Sequence, residues 1–200
     1  CMAERLKETL FSFGVDIIAG PDAYRDIPKL INKYTSEINI NTILSEEETY
    51  ADITPLRISS NKVTAFISIM RGCENFCSYC VVPYSRGKER SRDYKTIINE
   101  ASHLYNHGYK EITLLGQNVN SYKYFEGNDI IDFPSLIEKI SILNPNLRIR
   151  FATSHPKDIS DKLINIIAKH KNICKSIHLP VQSGSNYILE RMNRKYTREK

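Results

Sequence analysis

From about residue 62 the chain alternates short apolar runs with amphipathic stretches, and this alternation restricts the fold more than any other feature. Residues 63–69, 111–115, 147–151 and 176–179 are runs of strand length. Between them, helical spacing places Ile97, Ile98, Ala101, Leu104 and Tyr105 on one face of a helix over 94–107, stopped by Gly108. Asp132 and Pro134 open a second helix, with Phe133, Leu136, Ile137, Ile140 and Leu143 on its face. Asp158 opens a third, with Ile159, Leu163, Ile166 and Ile167 inward, and a last helix carries Tyr187, Ile188, Leu189 and Met192. Four successive strand–helix units predict an α/β fold with a parallel sheet and right-handed crossovers.

The segment ahead of this pattern, residues 1 to about 60, forms a separate block. Leu6, Leu10 and Phe13 lie at near-helical spacing, residues 15–20 read as a buried strand ending at a glycine turn, and residues 26–34 suit another helix through Ile27, Leu30, Ile31 and Tyr34. From Thr35 to Asn61 the pattern dissolves into a polar linker or surface hairpin.

Chemistry concentrates after the first strand, in Arg71-Gly72-Cys73-Glu74-Asn75-Phe76-Cys77-Ser78-Tyr79-Cys80. The spacing is C-x3-C-x2-C. Three thiolates on one loop hold three irons of a cubane cluster and leave the fourth iron open to a substrate or cofactor, whereas most electron-transfer clusters are closed by four cysteines. A zinc site normally takes four ligands, usually as paired C-x2-C units, and His103 and His107 lack such pairing with the loop. In barrel-type βα folds ligands gather at the carboxyl ends of the strands. The cysteine loop, Gly116-Gln117-Asn118, Ser154-His155 and Gln182-Ser183-Gly184 all fall at such ends.

Composition narrows the setting. Five cysteines, three of them close together, make a poor disulfide framework and a good metal-binding one. No apolar run approaches the roughly 18 residues of a membrane span, and no signal segment opens the chain, so a cytoplasmic protein with no membrane partner is expected. The formal net charge of +5 is a mild bias toward an anionic partner. The ends, Cys1-Met2-Ala3-Glu4-Arg5 and Tyr196-Thr197-Arg198-Glu199-Lys200, read as cut, as in a fragment.

A strand followed by C-x3-C-x2-C resembles the radical S-adenosylmethionine superfamily. The resemblance implies a 4Fe–4S cluster on Cys73, Cys77 and Cys80, whose open iron takes the amino and carboxylate groups of S-adenosylmethionine. Reductive cleavage of the sulfonium then gives a 5′-deoxyadenosyl radical, so no catalytic side chain beyond the cluster ligands is expected. Tyr79, just before the last cysteine, stands where the superfamily places an aromatic residue near the adenine; a packing role is the alternative. Gly116, Gln117 and Asn118 resemble, by position, the segment that holds the cofactor's amino group, and Ser154, His155 and Gln182 join them as cofactor candidates.

The flanking residues resemble the methylthiotransferases: Arg71-Gly72-Cys73, then Val81-Val82-Pro83-Tyr84-Ser85-Arg86-Gly87 and Glu89-Arg90-Ser91-Arg92. Leu115-Gly116-Gln117-Asn118-Val119-Asn120-Ser121-Tyr122 and His178-Leu179-Pro180-Val181-Gln182-Ser183-Gly184-Ser185 are similar to the tRNA branch of that family. That branch adds a methylthio group to carbon 2 of an isopentenylated adenosine beside the anticodon, using two 4Fe–4S clusters and an electron donor. Residues 1–60 would be the end of the N-terminal α/β domain that carries the auxiliary cluster, and residues 61–200 the first four βα units of a radical barrel. Cys1 matches the third auxiliary ligand; without the other two, at most one cluster is expected here and methylthiolation is not. The small RNA-binding domain called TRAM would lie beyond Lys200. A half-barrel would leave an open sheet edge, a route to self-association. Sister methylthiotransferases, acting on a ribosomal protein or on threonylcarbamoyl adenosine, are the nearest alternative. A non-catalytic metal-bearing RNA-binding module is the alternative of another class; it requires a fourth protein ligand and no affinity for S-adenosylmethionine.

Arg86, Lys88, Arg90 and Arg92 alternate and, on an extended segment, would share a side and meet tRNA phosphates. A solvated loop, or an arginine holding the cofactor carboxylate, are the other readings. Tyr84, Tyr122 and Tyr124 offer stacking for a flipped base or simple packing. Cys174 reads as a buried structural thiol, and His178 as a histidine near the mouth of the site.

Overall fold

The computed structural model describes residues 2–32, 39–53, 55, 57 and 62–200. The first block opens with α1 (Met2–Leu6), which runs into a 3-10 helix over Lys7–Phe13 that ends at Gly14 with φ 79°. β1 (Ile17–Ala19) follows, then α2 (Ile27–Asn32) and β2 (Asn39–Asn41), which lies parallel to β1 with Ile18 opposite Ile40. The expected strand and second helix are present; Tyr34 lies outside the described residues.

The second block holds β3 (Thr64–Ser68), β4 (Met70–Arg71), α3 (Val82–Arg86), β5 (Arg90–Ser91), α4 (Tyr94–Asn106), β6 (Glu111–Leu115) and β7 (Lys123–Glu126). It continues with β8 (Asp129–Asp132), α5 (Phe133–Leu143), β9 (Arg148–Phe151), α6 (Asp161–Lys169) and α7 (Asn186–Arg191). The core sheet is parallel, in the order β3-β6-β9, with Ile67 opposite Leu114 and Ile112 opposite Ile149. β3 alternates, burying Ala65 and Ile67, because one face alone is covered, whereas β6 buries Ile112, Thr113 and Leu114 as a central strand should. Ile97, Ala101 and Leu104 of α4, Leu136, Ile137 and Ile140 of α5, and Leu163, Ile166 and Ile167 of α6 join these strands in one core. Each leucine and isoleucine among them contributes about 1.5–3 kcal/mol by leaving water. Asp93, Asp132 and Ser160 cap the three helices by accepting from Lys95 N, Ser135 N and Leu163 N. The cap of α6 is therefore Ser160; Asp158, expected to open that helix, instead accepts from Asn118 Nδ2 at 2.6 Å.

The expected fourth strand is corrected. Ile173 makes a single parallel bridge to Ile149, held by Ile149 N to Asn172 O and Cys174 N to Ile149 O, both 2.9 Å. Beyond it residues 176–179 form no ladder, although Ser154 N reaches His178 O at 3.2 Å. The reason is burial: Ile173 is fully buried, while Ser176, Ile177 and His178 lie exposed and add little apolar contact. The sheet among the described residues thus has three laddered strands, and it does not close into a barrel.

Candidate metal and cofactor site

The cysteine loop hangs from a small clasp. β4 and β5 pair antiparallel, Met70 with Ser91 and Arg71 with Arg90, so the loop leaves and returns at one point beside the carboxyl end of β3. Gly72 sits at the crossing with φ 74°, and a Cβ there would stand 1.8 Å from Lys88 O, so only glycine fits. Cys73 N donates to Gly87 O at 3.2 Å and Cys80 N to Cys77 O at 2.9 Å. The first block braces the clasp: the buried Asp22 carboxylate meets Arg71 at 3.4 Å and Arg90 at 3.1 Å.

The three thiols open on a cavity of about 400 Å³. Cys73 and Cys77 are buried and Cys80 is half-buried; all are free thiols. Tyr79, Gly116, Gln117, Asn118, Ser154, His155 and Gln182, the cofactor candidates, all line the same cavity. Among the described residues no trio of Cys, His, Asp or Glu gathers as around a single ion. Burial pushes the Cys73 thiol up, and a bound cluster reverses that balance because a coordinating thiol is deprotonated outright.

Four of the residues lining this cavity have a buried polar atom without a hydrogen-bond partner: Gln117 Oε1, Asn118 Oδ1, Ser154 Oγ and His155 Nε2. Each unsatisfied group costs about 1–3 kcal/mol. Four of them lining one cavity with three thiols fit a polar, amino-acid-like ligand bound against a cluster. His155 Nδ1 accepts from Lys157 N at 3.1 Å, which puts the proton on Nε2 and makes it a donor. Burial, then the nearby Arg194 charge, lowers its pKa to about 4, so the ring is neutral at pH 7. Gly116 lets β6 end tightly here, since a Cβ would meet Met70 Cγ at 2.4 Å. Phe76, Thr153, Gln182, Asn193 and Lys195, in or beside this site, have φ between 50° and 69°, a concentration of backbone strain.

Sequence reading missed the lid on the loop. Arg194, 4% exposed, donates to Cys77 Sγ at 3.2 Å, to Tyr79 Oη at 3.3 Å and to Pro180 O at 3.0 Å. Asn193 Nδ2 donates to Phe76 O at 2.8 Å, and Asn75 Nδ2 to Cys73 Sγ at 3.4 Å. No spacing in Arg191-Met192-Asn193-Arg194-Lys195 signals this, because the partners in the cysteine loop lie more than 100 residues away.

The shared basic face expected of Arg86, Lys88, Arg90 and Arg92 is corrected. The segment turns through α3 and the clasp instead of running extended, and it buries Arg90 against Asp22 and Arg92 against Glu100 at 2.6 Å. Arg86 lines the cysteine cavity, and the exposed Lys88 pairs with Glu46 at 2.9 Å. Tyr122 is fully buried, its hydroxyl donating to Arg92 O at 2.6 Å; Tyr124 packs on Tyr94, and Tyr84 is exposed beside Phe76. Cys174 is half-buried, and His178 is exposed and does not line the cavity. Cys1 lies outside the described residues.

A family profile described as the radical SAM superfamily matches residues 67–200. The chain is 57% identical over 203 residues to a protein of Azobacteroides pseudotrichonymphae named tRNA-2-methylthio-N(6)-dimethylallyladenosine synthase. It is 55% identical over 212 residues to a protein of that name from Amoebophilus asiaticus, and 57% over 202 residues to one from Chloroherpeton thalassium. These alignments cover 99–100% of this chain and 44% of each relative, so the chain spans less than half their length. Among solved structures, the radical S-adenosylmethionine methyltransferase TsrM of Kitasatospora setae, with cobalamin and a [4Fe-4S] cluster bound, superposes with a TM-score of 0.53. That match has 18% identity and covers 68% of this chain and 27% of TsrM, a likeness of fold alone. With the strand-end cavity, the C-x3-C-x2-C loop and the profile over most of its length in agreement, the chain belongs to the radical SAM superfamily.

Proposed function

We propose that the chain is part of an enzyme of tRNA methylthiolation, which places a methylthio group on carbon 2 of an N6-dimethylallyl adenosine beside the anticodon, in the cytoplasm. One observation carries the reading: the cysteine loop and four unpartnered polar atoms converge on one cavity, in a chain 57% identical to a synthase named for that product. Residues 1–60 belong to the end of a cluster-bearing N-terminal domain, with Cys1 as a ligand of a second cluster, and residues 61–200 to the first four βα units of the radical core.

Cys73, Cys77 and Cys80 hold the 4Fe–4S cluster. Gln117 and Asn118 accept from the amino group of S-adenosylmethionine, while Ser154 and His155 Nε2–H donate to its polar oxygens. Arg86 pairs with the cofactor carboxylate, and Tyr79 covers the adenine. A cluster bound here would supply one-electron reduction of S-adenosylmethionine. The chain itself binds, orients and excludes water: Arg194 closes the loop from one side, and the neutral His155 adds a donor without a competing charge. The exposed Lys88 contacts RNA phosphate.

The test is anaerobic incubation of a full-length protein carrying this chain, loaded with both clusters, with S-adenosylmethionine, a one-electron reductant, sulfide as the sulfur source and RNA bearing the dimethylallylated adenosine. Nucleoside mass spectrometry is expected to find hydrogen replaced by a methylthio group. Recovery of the unmodified nucleoside alone, with 5′-deoxyadenosine formed, counts against this acceptor.

A further inference from the structure

A second cavity, of about 510 Å³, adjoins the first; Asn75 lines both, and the Asn118–Asp158 hydrogen bond of 2.6 Å joins a residue of one to a residue of the other. Its most unusual lining residue is Asn120. The 3-10 turn Val119–Ser121 after β6 is fixed by Val119 N to Thr153 O at 3.0 Å and by Ser121 Oγ to Asn118 O at 2.8 Å, with Val119 fully buried beneath. Asn120 is thereby held 8% exposed, with neither Nδ2 nor Oδ1 partnered. A buried amide lacking both bonds is costly unless a ligand completes it.

The rest of the lining limits what that ligand is. Glu74, Glu89, Asp132 and Asp158 contribute four carboxyl groups against the lysines Lys123, Lys157 and Lys195, an acidic balance that disfavours an anion inside. Phe125, 65% exposed, presents its ring at the mouth, with Lys123 and Lys195 beside the opening. A neutral planar heterocycle between an amide and a phenyl ring, with its phosphates left outside among lysines, matches this arrangement.

We infer that this second cavity receives the substrate nucleobase and that Asn120 reads its edge, Nδ2–H donating to a purine ring nitrogen and Oδ1 accepting from the adjacent exocyclic N–H. The inference rests on the tRNA reading above and adds to it the residue that selects the base. An asparagine amide matches N7 and N6 of adenine in this way. Phe125 stacks on the base, and Lys123 and Lys195 meet the flanking phosphates.

The test is binding of the cluster-loaded protein to anticodon stem-loop RNA, by fluorescence anisotropy, with adenine or 7-deazaadenine at the target position. The deaza base keeps the shape and loses one acceptor. The wild type is expected to bind it about tenfold more weakly. Asn120→Asp, nearly isosteric but without the donor, and Asn120→Ala are expected to lose that preference. Equal affinity of the wild type for both RNAs, or a preference that survives Asn120→Asp, overturns the role of Asn120 and leaves the tRNA reading standing. Failure of the wild type to bind either stem-loop overturns the tRNA reading itself.

Discussion

Arg194 Nη1 donates to Cys77 Sγ at 3.2 Å, joining two groups 117 residues apart. The contact ties the segment after α7 to the cysteine loop, and Ser78 N to Met192 O at 3.1 Å adds a backbone bond between the same parts. The half of the loop that carries Cys77 and Tyr79 is thus ordered by a distant part of the chain. Arg194→Gln keeps a polar group but removes the charge and the fork of donors. Hydrogen bonds from a charged group contribute about 1.5–3 kcal/mol. Urea denaturation is expected to show a loss of about 2 kcal/mol, with less iron retained per chain after reconstitution. Unchanged stability and iron content would show that the loop holds itself.

Gly72 and Gly127 both have positive φ, but their surroundings differ. At Gly72 a Cβ would meet Lys88 O at 1.8 Å, whereas at Gly127, in the β7–β8 turn, it would meet nothing within 4 Å. Gly127→Ala is therefore expected to cost about 1 kcal/mol from backbone strain alone. Gly72→Ala adds a backbone collision that opens the β4–β5 clasp. It is expected to cost several times more and to abolish cluster assembly, judged by thermal denaturation and iron content of the two variants.

Arg90 and Lys88 are two residues apart with opposite fates. Arg90 faces the Asp22 carboxylate, whose side chain is 1% exposed, while Lys88 meets Glu46 in water. Breaking a buried pair costs about 3–5 kcal/mol because a charge is left without its partner. Arg90→Ala and Asp22→Ala are expected to destabilise by that order, with early proteolysis near the first block. Lys88→Ala is expected to leave stability within about 0.5 kcal/mol and to lower the salt dependence of RNA binding by about one phosphate contact. A large stability loss in Lys88→Ala would contradict this division.

The buried imidazole of His155 makes stability depend on pH. Its pKa falls from 6.5 to about 4 on folding, so between these values the unfolded chain binds the extra proton. Its contribution to stability is full above pH 6.5, declines as pH falls, and is lost near pH 4. The difference between pH 7 and pH 5 is about 2 kcal/mol. Denaturation at the two pH values is expected to show this extra loss in the wild type and not in His155→Gln. Equal slopes would place the acid sensitivity elsewhere.

The sequence carried the core well where periodicity is strong. Ile97, Ala101 and Leu104, or Leu136, Ile137 and Ile140, face inward as their spacing requires. It also carried the cavity, because strand ends in a parallel sheet share one side, and residues as distant as Tyr79 and His155 had to meet there. It did not carry the fates of Arg90 and Arg92. Their alternation implied an extended ribbon, but the chain turns at Gly87 and buries both guanidinium groups against carboxylates. Short elements escaped as well. The Asn39–Asn41 strand and the β7–β8 hairpin are set by long-range pairing and by a turn at Gly127, not by any apolar period. Residues 176–179 look like a strand in isolation, yet Ile177 finds no core to enter.

The most direct measurement of the central claim, an open-iron cluster on Cys73, Cys77 and Cys80, is anaerobic iron–sulfur reconstitution followed by metal analysis and reduced EPR with and without S-adenosylmethionine. About four irons per chain are expected at this site, lost when the three cysteines are replaced by alanine. The spectrum is expected to change when the cofactor is added. One tightly bound zinc, or a cluster whose spectrum ignores S-adenosylmethionine, would contradict the account.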